Sequence, residues 1–231
     1  YKPEFLSKNG SQQLFESIQL INGIRPQINC NVCQAGDIHI NGMEGPYTLV
    51  TLDGMPLVSG LGTVYGLMGI PLSLIERVEV IKGPASTLFG SEAMAGVINI
   101  ITKNPRTAPR LSFQASTSTW LESSADLGGT VTRGKHRFMG SLSGQYQPLA
   151  IDHNNDGFMD QVNPIQGSAW IKYLLERKEH RIFQTMVRYV HENRLGGQMN
   201  YSHALRGSDS GYRESIYTRR GEWLLPYQLP F

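Results

Sequence analysis

Strict alternation of apolar and polar residues after Pro105 is the feature that most restricts how this chain can fold. Alternate residues of one stretch form a mostly apolar series: Phe138, Gly140, Leu142, Gly144 and Tyr146. The residues between them form a mostly polar series: Met139, Ser141, Ser143 and Gln145. Residues 169–176 repeat the pattern. Because a period of two places successive side chains on opposite faces of a strand, this half of the chain is predicted to form amphipathic strands.

The connections between these strands alternate in length. Residues 133–135 and 176–180 form tight, charged turns, whereas residues 148–164 and 196–215 are long polar segments. Short turns at one end and long loops at the other are typical of an outer-membrane β-barrel, whose tilted strands are about ten residues long. A soluble β-sandwich stays open as an alternative, although its two apolar faces would have to close a core with few strands. We therefore predict that residues 108–231 are the N-terminal antiparallel strands of a transmembrane β-barrel, in a chain that is truncated.

Residues 1–107 have a different pattern, which mixes helical and strand segments. A short helix is predicted from Ser11 to Ile18, and it ends before Asn22-Gly23. A second helical segment lies between Pro84 and Gly90. Three β-rich runs follow turn signals or precede them: residues 48–52, 78–81 and 97–102. This half is predicted to be a compact α/β domain with a small mixed sheet and short helices.

Composition and charge exclude some classes of protein. The chain is 40% hydrophobic and 17% charged, which is close to ordinary globular values, and its net charge is only +2. Since no basic stripe is present, nucleic acid is not an expected partner. No apolar run reaches the roughly 18 to 20 residues that a membrane-spanning helix needs. The start at Tyr1-Lys2-Pro3, without Met or a signal sequence, predicts that the chain begins inside a longer gene product.

Cys30 and Cys33 stand as Cys-Asn-Val-Cys in a loop-like stretch. A redox-active pair normally opens a helix after a strand, and a zinc site needs two further ligands. The favoured interpretation is a structural disulfide formed in an oxidising compartment, which points outside the cytoplasm. Free thiols, and redox or metal chemistry, remain alternatives.

Residues 152–160 have the oxygen spacing of a calcium-binding loop. Glycine stands at the sixth position, where such a loop turns sharply. The candidate ligands are Asp152, Asn154, Asp156, the backbone carbonyl of Phe158, and Asp160. Because Asn163 stands where an EF-hand carries a bidentate Glu, a full EF-hand is excluded and weak calcium binding is predicted. The alternative is an ordinary polar loop, since Asp, Asn and Gly are common in turns.

No catalytic arrangement is evident in the sequence. The six histidines show no HxxxH or HExxH spacing, and they are His39, His136, His153, His180, His191 and His203. Two of them, His153 and His203, are candidates for contact with a haem or a corrin, although a surface role is the more common one for such residues. Since a Ser-His-Asp pattern, a phosphate loop and a GxGxxG motif are also missing, we predict that the protein is not an enzyme.

Two segments of the first half resemble the plug domain of TonB-dependent outer-membrane receptors. The first is Gly-Pro-Tyr-Thr-Leu-Val-Thr-Leu-Asp-Gly-Met-Pro-Leu at residues 45–57. The second begins Ile-Glu-Arg-Val-Glu-Val-Ile-Lys-Gly-Pro-Ala-Ser at residue 75 and continues to Lys103. The resemblance covers residues 10–105, whereas residues 106–231 resemble the family only as the start of its barrel. Residues 30–42, together with the Asn-Gly-Met-Glu-Gly at residues 41–45, are similar to plugs from the Bacteroides group.

The resemblance implies a plug inside a barrel of roughly 22 strands in the outer membrane, in contact with lipid and reaching the periplasm. It also implies energised transport, with TonB as partner, of a scarce bulky nutrient such as haem, a ferric siderophore or a cobalamin-like corrin. Residues 59–67 and the long barrel loops would bind the ligand. The alternative function is a calcium-dependent surface binding or adhesion protein, built on the same scaffold, that does not transport.

The sequence departs from the family pattern in two respects. Asn41 and Lys82 stand where plugs of this family commonly carry arginines that form an ionic lock with glutamates of the barrel wall. Since Lys82 lacks the bidentate guanidinium and Asn41 lacks the charge, the lock is not expected in its usual form. A TonB box is not identifiable before Leu6, and it is expected either upstream of this chain or not at all.

Overall fold

The computed structural model describes residues 1–11, 13–28, 36–57, 67, 69–177, 181–200 and 211–225. Cys30, Cys33, His180, His203 and residues 59–66 of the predicted ligand-binding segment lie outside this part of the chain. The described residues form an α/β region followed by a six-stranded antiparallel sheet. We call residues 1–107 the N-terminal domain and the six strands the meander sheet.

The described residues of the N-terminal domain include three single-turn helices: α1 (Pro3–Leu6), α2 (Leu14–Ser17) and α3 (Ser86–Phe89). The helix predicted from Ser11 is confirmed as α2 with a following 3-10 turn, but it begins three residues later. Ser11 lies before the helix, and its Oγ accepts a hydrogen bond from the backbone N–H of Gln13 at 3.1 Å. Leu14 and Ile18 are fully buried, as their helical spacing predicts.

The described residues of this domain also form two small sheets. Strands β1 (Ile24–Ile28) and β2 (Gly36–Ile40) form an antiparallel pair that the sequence did not predict. The other four strands form a sheet of order β4-β3-β6-β5, and they are β3 (Thr48–Leu52), β4 (Met55–Pro56), β5 (Ile75–Lys82) and β6 (Gly96–Thr102). Since β3 and β6 are parallel and the other pairs are antiparallel, the predicted small mixed sheet is confirmed.

The meander sheet pairs each strand with the next one along the chain. Its strands are β7 (Leu111–Thr117), β8 (Ser123–Arg133), β9 (His136–Tyr146), β10 (Asn163–Glu176), β11 (Ile182–Gly197) and β12 (Arg213–Leu224). A tight turn joins β8 to β9 and only five residues separate β10 from β11, whereas residues 147–162 and 198–212 make the long connections, as predicted. The sheet is not closed, because β7 and β12 are not paired with each other. The predicted boundary after residue 107 falls in the connection between β6 and β7.

The two faces of the meander sheet have opposite surroundings. The apolar series that includes Leu142 and Ile171 points outward and is exposed. The opposite face packs on the N-terminal domain, and its Met139, Trp170 and Met186 join that domain's hydrophobic core. One face of the sheet is therefore apolar and exposed, and the other is covered by a domain. This is the arrangement predicted for the strands of an outer-membrane barrel that contains a plug. No helix among the described residues is long and apolar enough to cross a membrane.

Candidate functional site

A cavity of about 530 Å³ lies between the N-terminal domain and the first hairpin of the meander sheet. It lies at the end of the sheet that carries the long connections, since Gln161 and the β7–β8 turn contribute to its wall. Amides, hydroxyls and two carboxylates dominate the lining, and none of its described residues is Lys or Arg. The lining consists of Asn9, Gly10, Ser11, Gln13, Glu16, Gln19, Ser116, Thr117, Ser118, Thr119, Trp120, Glu122, Ser124 and Gln161.

Gln145 of β9 connects the two walls of the cavity. Its Oε1 accepts a hydrogen bond from Gln13 Nε2 at 3.1 Å, and its own Nε2 donates to Glu122 Oε1. Burial raises the pKa of the Glu122 carboxyl above its usual range; the Gln145 bond opposes this shift and the charge of Glu16 adds to it. The amides and hydroxyls of the lining can both donate and accept hydrogen bonds, whereas an anionic ligand group would meet two carboxyl groups in the cavity.

Among the described residues that line the cavity, Trp120 is the only aromatic one. It lies in the β7–β8 turn, which is closed by a 2.8 Å hydrogen bond from the Ser118 amide to the Glu122 carbonyl. Its ring meets the ring of His153 edge to face, with the centroids 4.9 Å apart. His153, one of the two histidines predicted as candidate contacts, is thus placed beside the cavity, and its contact with a haem or a corrin stays a prediction. Trp120 itself was not predicted.

The carboxylates of the predicted calcium loop already accept backbone hydrogen bonds. Asp152 accepts from the amides of Asn155 at 2.7 Å and Gly157 at 2.9 Å. Asp156 accepts from the Phe158 amide at 2.8 Å. At the end of the loop, Asp160 accepts from the amide of His153 at 2.7 Å, and Asn154 donates to Asp156 at 3.0 Å. Among the described residues, no group of three or more His, Cys, Asp or Glu is placed to hold a metal ion. Calcium binding therefore stays a prediction.

Calcium binding by this loop has a direct test. We expect the intact protein to bind calcium with a Kd on the order of 10⁻⁴ M, because carbonyl and carboxylate oxygens are present but the bidentate Glu is missing. Asp156→Ala should abolish the calorimetric heat, whereas Glu44→Ala, which removes an exposed carboxylate of the N-terminal domain, should leave it unchanged. Equal heats for Asp156→Ala and the wild type would identify the loop as a polar turn only.

The other described histidines, which were not predicted to contact a ligand, are not among the residues that line the cavity. His39 Nε2 pairs with Asp37 at 3.0 Å, and His136 Nδ1 lies 2.8 Å from the hydroxyl of Tyr173. The ring of His191 on β11 packs edge to face on the ring of Tyr217 on β12.

The two positions of the family's ionic lock have partners inside the N-terminal domain. The backbone N–H of Asn41 donates to the Gly23 carbonyl at 2.8 Å, and Lys82 Nζ donates to the carbonyl of Asn22. Neither bond reaches the meander sheet, so these two contacts do not build the lock. A different ion pair does join the domain to the sheet, between Asp53 and Lys172 at 3.0 Å.

Comparison with known proteins gives a family for the first part of the chain. Residues 1–97 match the TonB-dependent Receptor Plug Domain. Over 75 residues the chain is 49% identical to the iron-regulated outer membrane virulence protein of Vibrio cholerae. The matched region covers 29% of this chain and 11% of that protein. Over 97 residues it is 34% identical to the vitamin B12 transporter BtuB of Vibrio vulnificus, which covers 42% of this chain and 16% of that protein.

A solved structure extends the likeness to the meander sheet. The ferric yersiniabactin uptake receptor FyuA of Yersinia pestis superposes with a TM-score of 0.68, over 96% of this chain and 36% of that one, at 20% identity. At that identity the likeness establishes the fold alone. The chain spans about a tenth to a sixth of the length of the two curated relatives. Since these relatives come from Vibrio and Yersinia, they give no support to the narrower resemblance to Bacteroides-group plugs.

Proposed function

We propose that this chain contains the plug domain and the first barrel strands of a TonB-dependent outer-membrane receptor, and that the intact protein imports a scarce, bulky nutrient across the outer membrane. The observation that carries the proposal is the packing of the N-terminal domain, from here on the plug, against the inner face of an outward-apolar meander sheet. A plug in this position blocks free diffusion, so passage of cargo requires the plug to change state. TonB is the proposed source of energy for that change.

The cargo classes that we propose are a ferric siderophore, haem and a cobalamin-like corrin. Two of the similar proteins are named as a vitamin B12 transporter and as a ferric yersiniabactin uptake receptor, which supports a corrin and an iron chelate as cargo, and neither name describes an enzyme or an adhesin. We propose that cargo contacts the long connections and the cavity beside Trp120. Since that cavity presents carbonyl, hydroxyl and carboxyl oxygens, it fits a face of the cargo that carries amide or hydroxyl donors. Trp120 would pack against the apolar part of the same face.

Growth of a deletion strain tests the proposal. The strain receives haem, a ferric siderophore or cobalamin as the sole source of iron or corrin, and we expect loss of growth on one class only. Complementation with Trp120→Ala should raise the nutrient concentration for half-maximal uptake by about tenfold or more, as loss of a central interface tryptophan usually does. Trp223→Ala is the matched control, because Trp223 lies on the outward face of β12. Normal growth of the deletion strain on every class would refute import, and equal uptake by both variants would refute the cavity as a contact site.

A further inference from the structure

Lys172 is a buried cation on the inner face of β10, with 5% of its side chain exposed. Its ammonium group donates to three oxygens of the plug: Asp53 Oδ2 at 3.0 Å, Thr102 Oγ1 at 2.7 Å and the Lys103 carbonyl at 3.4 Å. An ammonium group has three N–H donors, so all of them are used on the plug. The bonds cross from the barrel wall to the plug over 69 to 119 positions of sequence.

Asp53 links this cation to the end of the plug's last strand. It lies in the turn between β3 and β4 with φ at 49°. Its Oδ1 accepts a hydrogen bond from the Thr102 amide at 2.8 Å, and its Oδ2 accepts from the Thr102 hydroxyl at 2.7 Å. Thr102 is the last residue of β6, where the chain leaves the plug for the barrel. The Asp53 carboxylate therefore connects the β3–β4 turn, the end of β6 and Lys172 to one another.

The surroundings of Lys172 make its charge dependent on Asp53. Its partners across the strands are Met139 and Met186, and both of these side chains are buried. A cation in such a place is stable only while an anion and hydrogen-bond acceptors accompany it, and removal of one partner leaves an uncompensated charge. The two partners should therefore be coupled: loss of both charges should disturb the plug less than loss of Asp53 or Lys172 alone.

We infer that Lys172 is a positioning residue that fastens the plug sheet to β10 of the barrel wall at the end of β6, where the chain leaves the plug. The contact differs from an arginine–glutamate lock in its polarity, since the cation belongs to the wall and the anion to the plug. It holds β6 and the β3–β4 turn in place, and so keeps the plug seated in the lumen when cargo is absent. Only the seating of the plug during transport rests on the proposed function.

Hydrogen exchange of the intact receptor in detergent tests the inference. We expect Lys172→Met to increase exchange about tenfold in peptides that contain residues 48–56 and 97–103. The double variant Asp53→Asn/Lys172→Met should recover a large part of the protection, because neither buried charge is left alone. Lys135→Met is the control, since it removes a lysine from the exposed β8–β9 turn at the same end of the sheet. If Lys172→Met fails to reach the membrane, higher membrane levels of the double variant give the same readout.

Two results would overturn the inference: wild-type exchange in Lys172→Met, or a double variant disturbed by the full sum of the two single changes. Entry of a large antibiotic such as vancomycin into the cells gives a second readout, and it should rise for Lys172→Met and fall back in the double variant. Unchanged antibiotic entry in cells whose receptor shows the expected exchange would refute the seating role. Failure of the nutrient test alone would refute the proposed import and leave the exchange result standing.

Discussion

A receptor with Gly96→Ala is expected to lose its folded plug, while a receptor with Gly54→Ala keeps it. Gly96 begins β6 with φ at 151°, and an added Cβ would lie 2.2 Å from the carbonyl oxygen of Ile81. That oxygen cannot easily move away, because Gly96 pairs with Lys82 of β5 and the Gly83 amide donates to the Ala95 carbonyl at 2.9 Å. Backbone strain and overpacking each cost about 1 to 3 kcal/mol, and together they approach the whole stability of a small domain.

Gly54 isolates one of these two effects. It also has a positive φ, at 81°, but an added Cβ would meet nothing within 4 Å. Gly54→Ala should therefore cost only about 1 to 2 kcal/mol from the left-handed backbone. Limited trypsin digestion of the intact receptors is the measurement: the plug of Gly96→Ala should be cut at concentrations that leave the plugs of Gly54→Ala and the wild type whole. Equal resistance of all three proteins would show that β6 adjusts to the added methyl group.

Much of the fold could be predicted from local sequence patterns. The runs that became β3, β5 and β6, the turn of helix before Gly90 and the alternating strands of the meander sheet were all visible as short-range periodicity. The β1–β2 pair was not visible in this way. Because β1 contains Pro26 and three of its residues are exposed, neither its composition nor its burial pattern indicates a strand. Pairing of β1 depends on β2, which lies beyond a segment of seven residues.

The candidate site was harder to predict, since distant segments build it. The sequence placed Lys172 on the polar face of its strand and Asp53 in a turn, but only the tertiary fold brings them together across 119 positions. The cavity has the same origin, because the bond between Gln13 and Gln145 spans 132 positions. The calcium loop is the opposite case, since its pattern is entirely local. Its side chains are arranged by local hydrogen bonds to the backbone, and these bonds would form in a polar turn as well as in a metal site.

Separation of the two parts of the chain should give opposite solution behaviour. Residues 108–231 alone should be insoluble in buffer, because the outward face exposes large apolar side chains: Leu111 is 72%, Phe113 71% and Trp223 72% exposed. Loss of the plug would also uncover the core side chains of the inner face, and β7 and β12 would remain open edges. Detergent, which covers apolar surface, should disperse this fragment.

Residues 1–107 alone should instead be soluble, because all but three members of the shared hydrophobic core belong to the plug. Size-exclusion chromatography of both fragments, with and without detergent, and thermal unfolding monitored by circular dichroism make the comparison. Precipitation of residues 1–107 would show that the plug depends on Met139, Trp170 and Met186 of the wall for its core. A monodisperse 108–231 fragment that unfolds cooperatively in plain buffer would contradict the barrel assignment, since only a self-contained sheet structure such as a sandwich can cover its own apolar faces.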